Sequence, residues 1–171
     1  SGGENEIVTL LRYFFAENHE SYPCQVRFER SAHLYDVRLR KYLGFVDTIN
    51  ADISHTAHIY AMLPYRVKGL GVATRRLEYS AGDLVEVKLS VVTDDPDSPA
   101  SHHCIRLQVM APDGSEMKEY GKNIMAQKGQ CAAALRFALN DPPGEYRLVA
   151  RDILSGIEGS KPIKLHTDST P

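Results

Sequence analysis

From Glu4 to Asn18 the apolar residues Ile7, Val8, Leu11, Phe14 and Phe15 recur at helical spacing, while Glu4, Glu6, Arg12 and Glu17 occupy the rest of the wheel. The spacing predicts one amphipathic helix of about four turns. Its first turn is acidic, opposing the helix dipole, and Asn18-His19 followed by Ser21-Tyr22-Pro23 ends it. A lone helix of this length is marginal in water, so its apolar stripe is expected to lie against another surface.

After Pro23 the period falls from 3.6 to 2. Val26 and Phe28 alternate with Arg27 and Glu29, Tyr35 and Val37 with Asp36 and Arg38, and Ile49, Ala51 and Ile53 with Asn50, Asp52 and Ser54. These are short half-buried strands. Ala57 to Leu63 is more continuously apolar, as in a strand covered on both faces, and Pro64 closes it. Gly44, Gly69 and Gly71 mark bends or bulges, and about five strands fit between Cys24 and Val72.

A second series starts near Thr74. Val85, Val87, Leu89 and Val91 point one way and Glu86, Lys88 and Ser90 the other; Ile105, Leu107 and Val109 repeat this against Arg106 and Gln108. Pro112-Asp113-Gly114 predicts a turn, placing Ser115 to Tyr120 on a returning strand. Cys131, Ala133, Leu135, Phe137 and Leu139 form another inward row, and Asp141-Pro142-Pro143-Gly144 turns the chain into Tyr146, Leu148 and Ala150. Seven short strands with Pro and Gly between them predict a two-sheet sandwich of the immunoglobulin-like kind. Tyr146, just past a turn and entering a late strand, stands where a tyrosine-corner residue stands.

The expected fold is therefore mainly β: an N-terminal amphipathic helix followed by two antiparallel β-sandwich domains, the second immunoglobulin-like. The divisions are 1–23 for the helix, read as a remnant or contact of an upstream domain, 24–73 for a small sandwich, 74–166 for the second sandwich, and 167–171 for a frayed tail. Ser1-Gly2-Gly3 reads as a cloning scar, which leaves room for a leader or whole domains upstream.

Composition changes this picture little. The 171 residues are 43% hydrophobic and 25% charged, with 20 Lys plus Arg against 22 Asp plus Glu, which is ordinary for a globular protein. Neither side of Ala73 carries the positive excess that phosphate-backbone binding needs, so no nucleic-acid partner is expected. No apolar run approaches the roughly 20 residues of a membrane span. Cys24, Cys104 and Cys131 are odd in number and contain no C-x-x-C pair, which argues against a zinc cage. Cys104 and Cys131 meet across a sheet only if their strands are neighbours, and each also sits where a small buried hydrophobe serves. Compartment stays open on cysteine usage.

Candidate chemistry is sparse. In an extended His102-His103-Cys104 only His102 and Cys104 share a side, and two ligands do not make a metal site. His55 and His58 flank the start of a strand with no carboxylate spaced to orient either ring. Asp94-Asp95-Pro96-Asp97 lacks the order of a calcium loop and is explained as an acidic inter-strand connection. Neither a nucleophile elbow nor a phosphate loop occurs, and Gly69-Leu70-Gly71 precedes a strand where a dinucleotide fingerprint requires a helix. Sugar stacking prefers Trp, of which there is none; Tyr13, Tyr22, Tyr35, Tyr42, Tyr60, Tyr65, Tyr79, Tyr120 and Tyr146 are scattered, mostly in apolar alternation where packing uses them. No catalytic residue, metal ligand or cofactor is assigned.

Leu34-Tyr35-Asp36-Val37-Arg38 followed by Lys41-Tyr42-Leu43-Gly44, with Ala57-His58-Ile59-Tyr60-Ala61-Met62-Leu63-Pro64-Tyr65 further on, resembles the C-terminal accessory region of large bacterial glycoside hydrolases of the β-galactosidase type. There a strand pair is followed by a strand ending in Leu-Pro-Tyr, and a helix closes an upstream flavodoxin-like domain. Leu39-Arg40 departs from the turn-prone pair expected in that pattern. Tyr79-Ser80-Ala81-Gly82-Asp83, Ala111-Pro112-Asp113-Gly114 and Pro143-Gly144-Glu145-Tyr146-Arg147 resemble the macroglobulin-type sandwich domains of bacterial surface proteins. The resemblance implies a non-catalytic β-rich accessory module of a larger, exported carbohydrate-active protein, in a periplasmic or extracellular setting, with the upstream domains of the same polypeptide as its partners. A module binding glycan or protein is the alternative, and a free-standing hydrolase ranks last.

Overall fold

The computed structural model describes residues 4–11, 21–54, 56–95 and 100–166. The chain divides into two compact units, Ser1–Arg66 with Leu154–Gly156, and Val67–Ile153 with Ile157–Pro171. Strand β5 (Val67–Thr74) belongs to the second of these and runs through the division expected at residue 73.

The first unit contains one four-stranded sheet in the order β1-β4-β2-β3, from β1 (Glu6–Leu10), β2 (Tyr22–Asp36), β3 (Lys41–Ile53) and β4 (His58–Leu63). The expected N-terminal helix is overturned: Glu6–Leu10 pairs antiparallel with β4, Glu6 opposite Met62 and Leu10 opposite His58. Val8 and Leu10 pack on the buried Tyr60 and Met62, while Ile7 is 62% exposed. Three consecutive residues of strand preference, Ile7-Val8-Thr9, meet a free edge of the sheet, and the tertiary pairing outweighs the helical spacing. The rest of the expected helix, with Phe14 and Phe15, lies outside the described residues.

The short strands expected between Cys24 and Ile53 are joined into one long hairpin. Register slips between Arg27 and Ala32, so that the segment read as a break is a bulge inside β2. A second slip leaves Leu43 unpaired, and Gly44 beside it takes φ +118°, conformational space that a side chain resists. At the hairpin tip the Leu39 N–H donates to Asp36 Oδ1 at 2.8 Å, and Arg40 sits at φ 54°. Among the described residues this unit forms a single sheet, with Ala32, Leu34, Tyr60 and Met62 clustered together, in place of the small sandwich expected there.

The second unit packs two sheets face to face. One has the order β10-β7-β5, from β5, β7 (Leu84–Thr93) and β10 (Gln130–Arg136); the other has β6-β12-β11-β8-β9, from β6 (Glu78–Ser80), β8 (His103–Met110), β9 (Lys122–Ala126), β11 (Gly144–Asp152) and β12 (Glu158–His166). All neighbours are antiparallel except β6 and β12. The inward rows expected from alternation are the core: Val85, Val87, Leu89, Ile105, Leu107, Val109, Leu135, Phe137, Tyr146, Leu148 and Ala150 are buried together. Each contributes about 1.5–3 kcal/mol for the larger side chains. Leu139 leaves the row because β10 ends at Arg136; it is 80% exposed in the following turn.

Ser115 to Tyr120 does not form the expected returning strand. Asp113 Oδ1 accepts from the Ser115 N–H at 2.9 Å, and a short 3₁₀ turn, Lys118–Tyr120, carries the chain to β9, which is the strand that returns. Tyr120 is anchored instead, its hydroxyl donating to Asp141 Oδ2 at 2.5 Å and its ring 5.2 Å from Phe137. Phe137 meets Tyr146 edge-on at 4.9 Å, and the Tyr146 hydroxyl donates to the Pro142 carbonyl at 2.7 Å, four residues upstream. That is the hydrogen bond of a tyrosine corner.

Lys128 and Gly129 turn the chain from β9 in one sheet to β10 in the other, inside the Gln127–Gln130 bridge, with φ of 50° and 70°, the two positive values of a type I′ turn, in which Asn-Gly is preferred. Lys128→Asn therefore raises the melting temperature, by about 0.5–1 kcal/mol in stability, measurable by thermal denaturation. Burial, with the Asp141 charge adding to it, pushes the Tyr146 phenol up to about 12. In the unfolded chain the phenol ionises near 10, so between those values unfolding releases a proton and stability falls as pH rises; it is intact below pH 10. Tyr146→Phe costs about 1–2 kcal/mol at neutral pH for the lost hydrogen bond, and urea denaturation from pH 9 to 12 shows a flatter alkaline limb in the variant.

Candidate functional site

Two polar side chains stand in the inward phase of otherwise apolar strands. His103 opens β8 in phase with Ile105, Leu107 and Val109, and Asp152 ends β11 in phase with Tyr146, Leu148 and Ala150. Adjacent antiparallel strands bring these ends together, Asp152 opposite Ile105. His103 Nδ1 lies 2.8 Å from Asp152 Oδ1, and both side chains are fully buried. The Asp152 N–H is bonded to the Ile157 carbonyl at 2.9 Å. A carboxylate orients an imidazole in this way in many acid–base sites. Here the pair lines none of the surface clefts described below, and it bridges the adjoining ends of two neighbouring strands. Sequence reasoning passed over it, although polar residues on the inward phase at the ends of two strands were its visible signal.

The other sequence candidates are dispersed. His102 is exposed, and Cys104 is half-buried on the phase opposite His103. Cys104 and Cys131 lie in different sheets, and all three thiols are free. Burial pushes the Cys131 thiol up, with Cys104 adding to it. His58 stacks against Tyr60 at 6.3 Å between ring centres, and its Nε2 has no hydrogen-bond partner among the described residues. His55 and, in the acidic loop, Pro96 and Asp97 lie outside the described residues; the Thr93 hydroxyl donates to the Asp95 carbonyl at 2.8 Å. Among the described residues no three His, Cys, Asp or Glu side chains converge as metal ligands. Gly69 and Gly71 lie within β5, where a Cβ on Gly71 would fall 2.5 Å from Ser90 Oγ, so close strand approach accounts for that glycine.

Of the tyrosines, Tyr35, Tyr60, Tyr65, Tyr79 and Tyr146 are buried, and Tyr13 lies outside the described residues. Tyr42 is held between His33, whose Nδ1 is 2.8 Å from its hydroxyl, and the Arg66 guanidinium, 4.6 Å above its ring. Phe45 beside it is 61% exposed, its ring 5.0 Å from His33.

Open clefts occur in each unit. In the first, one of about 480 Å³ has Val8, Phe28 and Met62 for its floor and the paired Glu6 and Arg30 at its rim. In the second, a cleft of about 460 Å³ is lined by Arg75, Arg76, Tyr79, Leu84 and Glu86. A neighbouring one of about 320 Å³ shares Arg75 and Glu86 and adds Ala73, Thr74 and Lys88. These residues come from the connection between β5 and β6 and from the outward row of β7. Arg75-Arg76 was the unread signal in the sequence: two adjacent cations at a crossing between sheets.

No helix among the described residues is long and apolar enough to cross a membrane. No protein-family model and no curated protein matches the chain. Solved structures with partial likeness include the Yersinia pseudotuberculosis adhesin InvE, with 13% identity over 97% of this chain and 55% of that one, at a TM-score of 0.46. Others are a β-glucosidase from Listeria innocua in complex with isofagomine, 13% identical over 59% of this chain and 16% of that one (TM-score 0.40), and the Pseudomonas fluorescens alkylpurine DNA glycosylase AlkC bound to DNA, 10% identical over 58% and 30% (TM-score 0.42). The chain spans little more than half of the adhesin's length and less than a third of the other two.

If the His103–Asp152 pair secures the β8 and β11 ends, His103→Leu leaves a buried carboxylate without its imidazole and costs about 3–5 kcal/mol in urea denaturation. Asp152→Asn keeps a hydrogen-bonding partner and costs about 1–2 kcal/mol. The double replacement His103→Leu with Asp152→Leu is less damaging than His103→Leu alone, because no stranded charge remains.

Proposed function

We propose that the chain is a non-catalytic β module of a larger carbohydrate-active protein, with an immunoglobulin-like second unit. The observation that carries this reading is the order β10-β7-β5 facing β6-β12-β11-β8-β9, with the Tyr146 hydroxyl on the Pro142 carbonyl. In immunoglobulin-type lettering, β5 and β6 correspond to a first strand split between the two sheets, β7, β8 and β9 to B, C and C′, and β10, β11 and β12 to E, F and G. The inward rows are spent on packing the two layers.

The tie to carbohydrate-active proteins rests on the first unit. Its β2–β3 hairpin carries Tyr35-Asp36-Val37-Arg38 and Lys41-Tyr42-Leu43-Gly44 on its two arms, and β4 leads into Leu63-Pro64-Tyr65 beside it. These segments have structural uses that fit the resemblance: Tyr35 and Tyr42 pack at 5.0 Å, Asp36 closes the tip, and the Tyr65 hydroxyl donates to Asn5 at 3.0 Å. Catalysis is then the business of another part of the polypeptide. The test is hydrolysis of a panel of 4-nitrophenyl glycosides by the purified chain. Release at the buffer-blank rate is expected; turnover that survives repurification and is abolished by replacing a single carboxylate would overturn the accessory role.

A further inference from the structure

The connection between β5 and β6 is fixed by more bonds than an ordinary surface crossing. The Thr74 hydroxyl donates to the Arg76 carbonyl at 2.7 Å, and the Arg76 N–H donates to the hydroxyl of the buried Tyr79 at 3.1 Å. The Arg76 guanidinium lies 4.9 Å above the Tyr79 ring and 3.1 Å from Asp83 Oδ2, and that same oxygen accepts from the Ser80 N–H at 3.1 Å. Arg76 is thereby positioned by an aromatic face, a carboxylate and two backbone bonds. Arg75, next to it, is exposed and makes no ion pair with any described residue, although the carboxylate of Glu86 lines the same two clefts. Lys88 closes the far end, opposite Ala73 in the register.

We propose that this double cleft binds a carboxylated saccharide, an oligosaccharide of uronic-acid type. Arg75 supplies a planar fork matched to a carboxylate, with Lys88 as a second cation. Glu86, which lines both clefts with Arg75, accepts from sugar hydroxyls, and its charge disfavours a dianionic phosphate more than a monoanionic carboxylate. Leu84, 47% exposed, gives the apolar patch on which a sugar face rests. The two volumes, about 460 and 320 Å³, fall in the range of small-molecule sites and run on from one another through Arg75 and Glu86, as a short chain of rings requires. An acidic peptide satisfies the cations, but it offers Glu86 no vicinal hydroxyls.

The experiment is an amide-resolved NMR titration of the 171-residue chain with tri-galacturonate, the neutral galactotriose and hexaglutamate in parallel. Saturable shifts confined to residues around Arg75, Glu86 and Lys88 are expected with tri-galacturonate alone, and added sodium chloride weakens them. Arg75→Ala weakens the interaction about tenfold and Arg75→Lys about threefold, since the charge stays but the fork is lost. Both substitutions are at an exposed position and leave the melting temperature unchanged, which separates lost binding from lost fold. The proposal is overturned by the absence of shifts, by equal binding of the neutral trisaccharide, by binding indifferent to Arg75→Ala, or by hexaglutamate binding more tightly. Failure here leaves the accessory role standing, whereas cleavage of tri-galacturonate during the titration would count against that role and not against the cleft.

Discussion

The structure of the second unit depends on one constraint: two sheets can bury each other only if every second residue of each strand is apolar and in register with its neighbours. Val85, Val87 and Leu89 in one sheet face Ile105, Leu107, Val109, Leu148 and Ile163 in the other, all of them buried. Because the pleat sends the intervening residues outward, Glu86, Lys88 and Arg147 stand exposed and take no part in the core between the sheets. The division of labour is strict enough that a single-residue slip would invert it. Gly159 marks a close approach of backbones from the two sheets, since a Cβ there would lie 1.9 Å from the Leu70 carbonyl oxygen.

This alternation made the second unit legible from residue types alone. The rows of β7, β8 and β11 emerged at their positions, as did the turns at Pro112-Asp113-Gly114 and Asp141-Pro142-Pro143-Gly144 and the placement of Tyr146. The first unit was harder for physical reasons. Ile7, Val8 and Leu11 satisfy helical spacing, yet Val8 and Leu10 satisfy strand spacing equally well, and only the available edge of β4 decides between them. A bulge is similarly silent: the run Phe28 to Ser31 interrupts alternation just as a loop does, although β2 continues through it. The candidate clefts were illegible for a different reason. They are assembled from Arg75 and Arg76 on a crossing and Glu86 and Lys88 on a strand, and a sequence does not display that adjacency.

His103 and Asp152 illustrate how a core accommodates polarity. An isolated carboxylate buried in this position would carry the desolvation cost of a charge, several kcal/mol by order of magnitude. Paired at 2.8 Å with an imidazole at the start of the neighbouring strand, it becomes a directional contact in a layer otherwise held by non-directional ones. Alternation forbids a one-residue slip of β8 along β11 but leaves a two-residue slip in phase; a hydrogen-bonded pair at their adjoining ends opposes that slip too.

The crossing from β5 to β6 is held by side-chain bonds for a related reason. A chain that leaves one sheet to join the edge of the other abandons its ladder partners, and its backbone polar groups must be satisfied by side chains. Thr74, Tyr79 and Asp83 supply those bonds, and Tyr79 is itself buried in the core. The core thus reaches out through one phenol to fix a surface turn. A turn fixed in this way loses little conformational freedom when something binds to it, so the residues it presents begin with part of the ordering cost already met. Arg75 is the residue so presented, and Arg76 is the one that anchors it; reversing their roles would require the Tyr79 ring to move out of the packed layer.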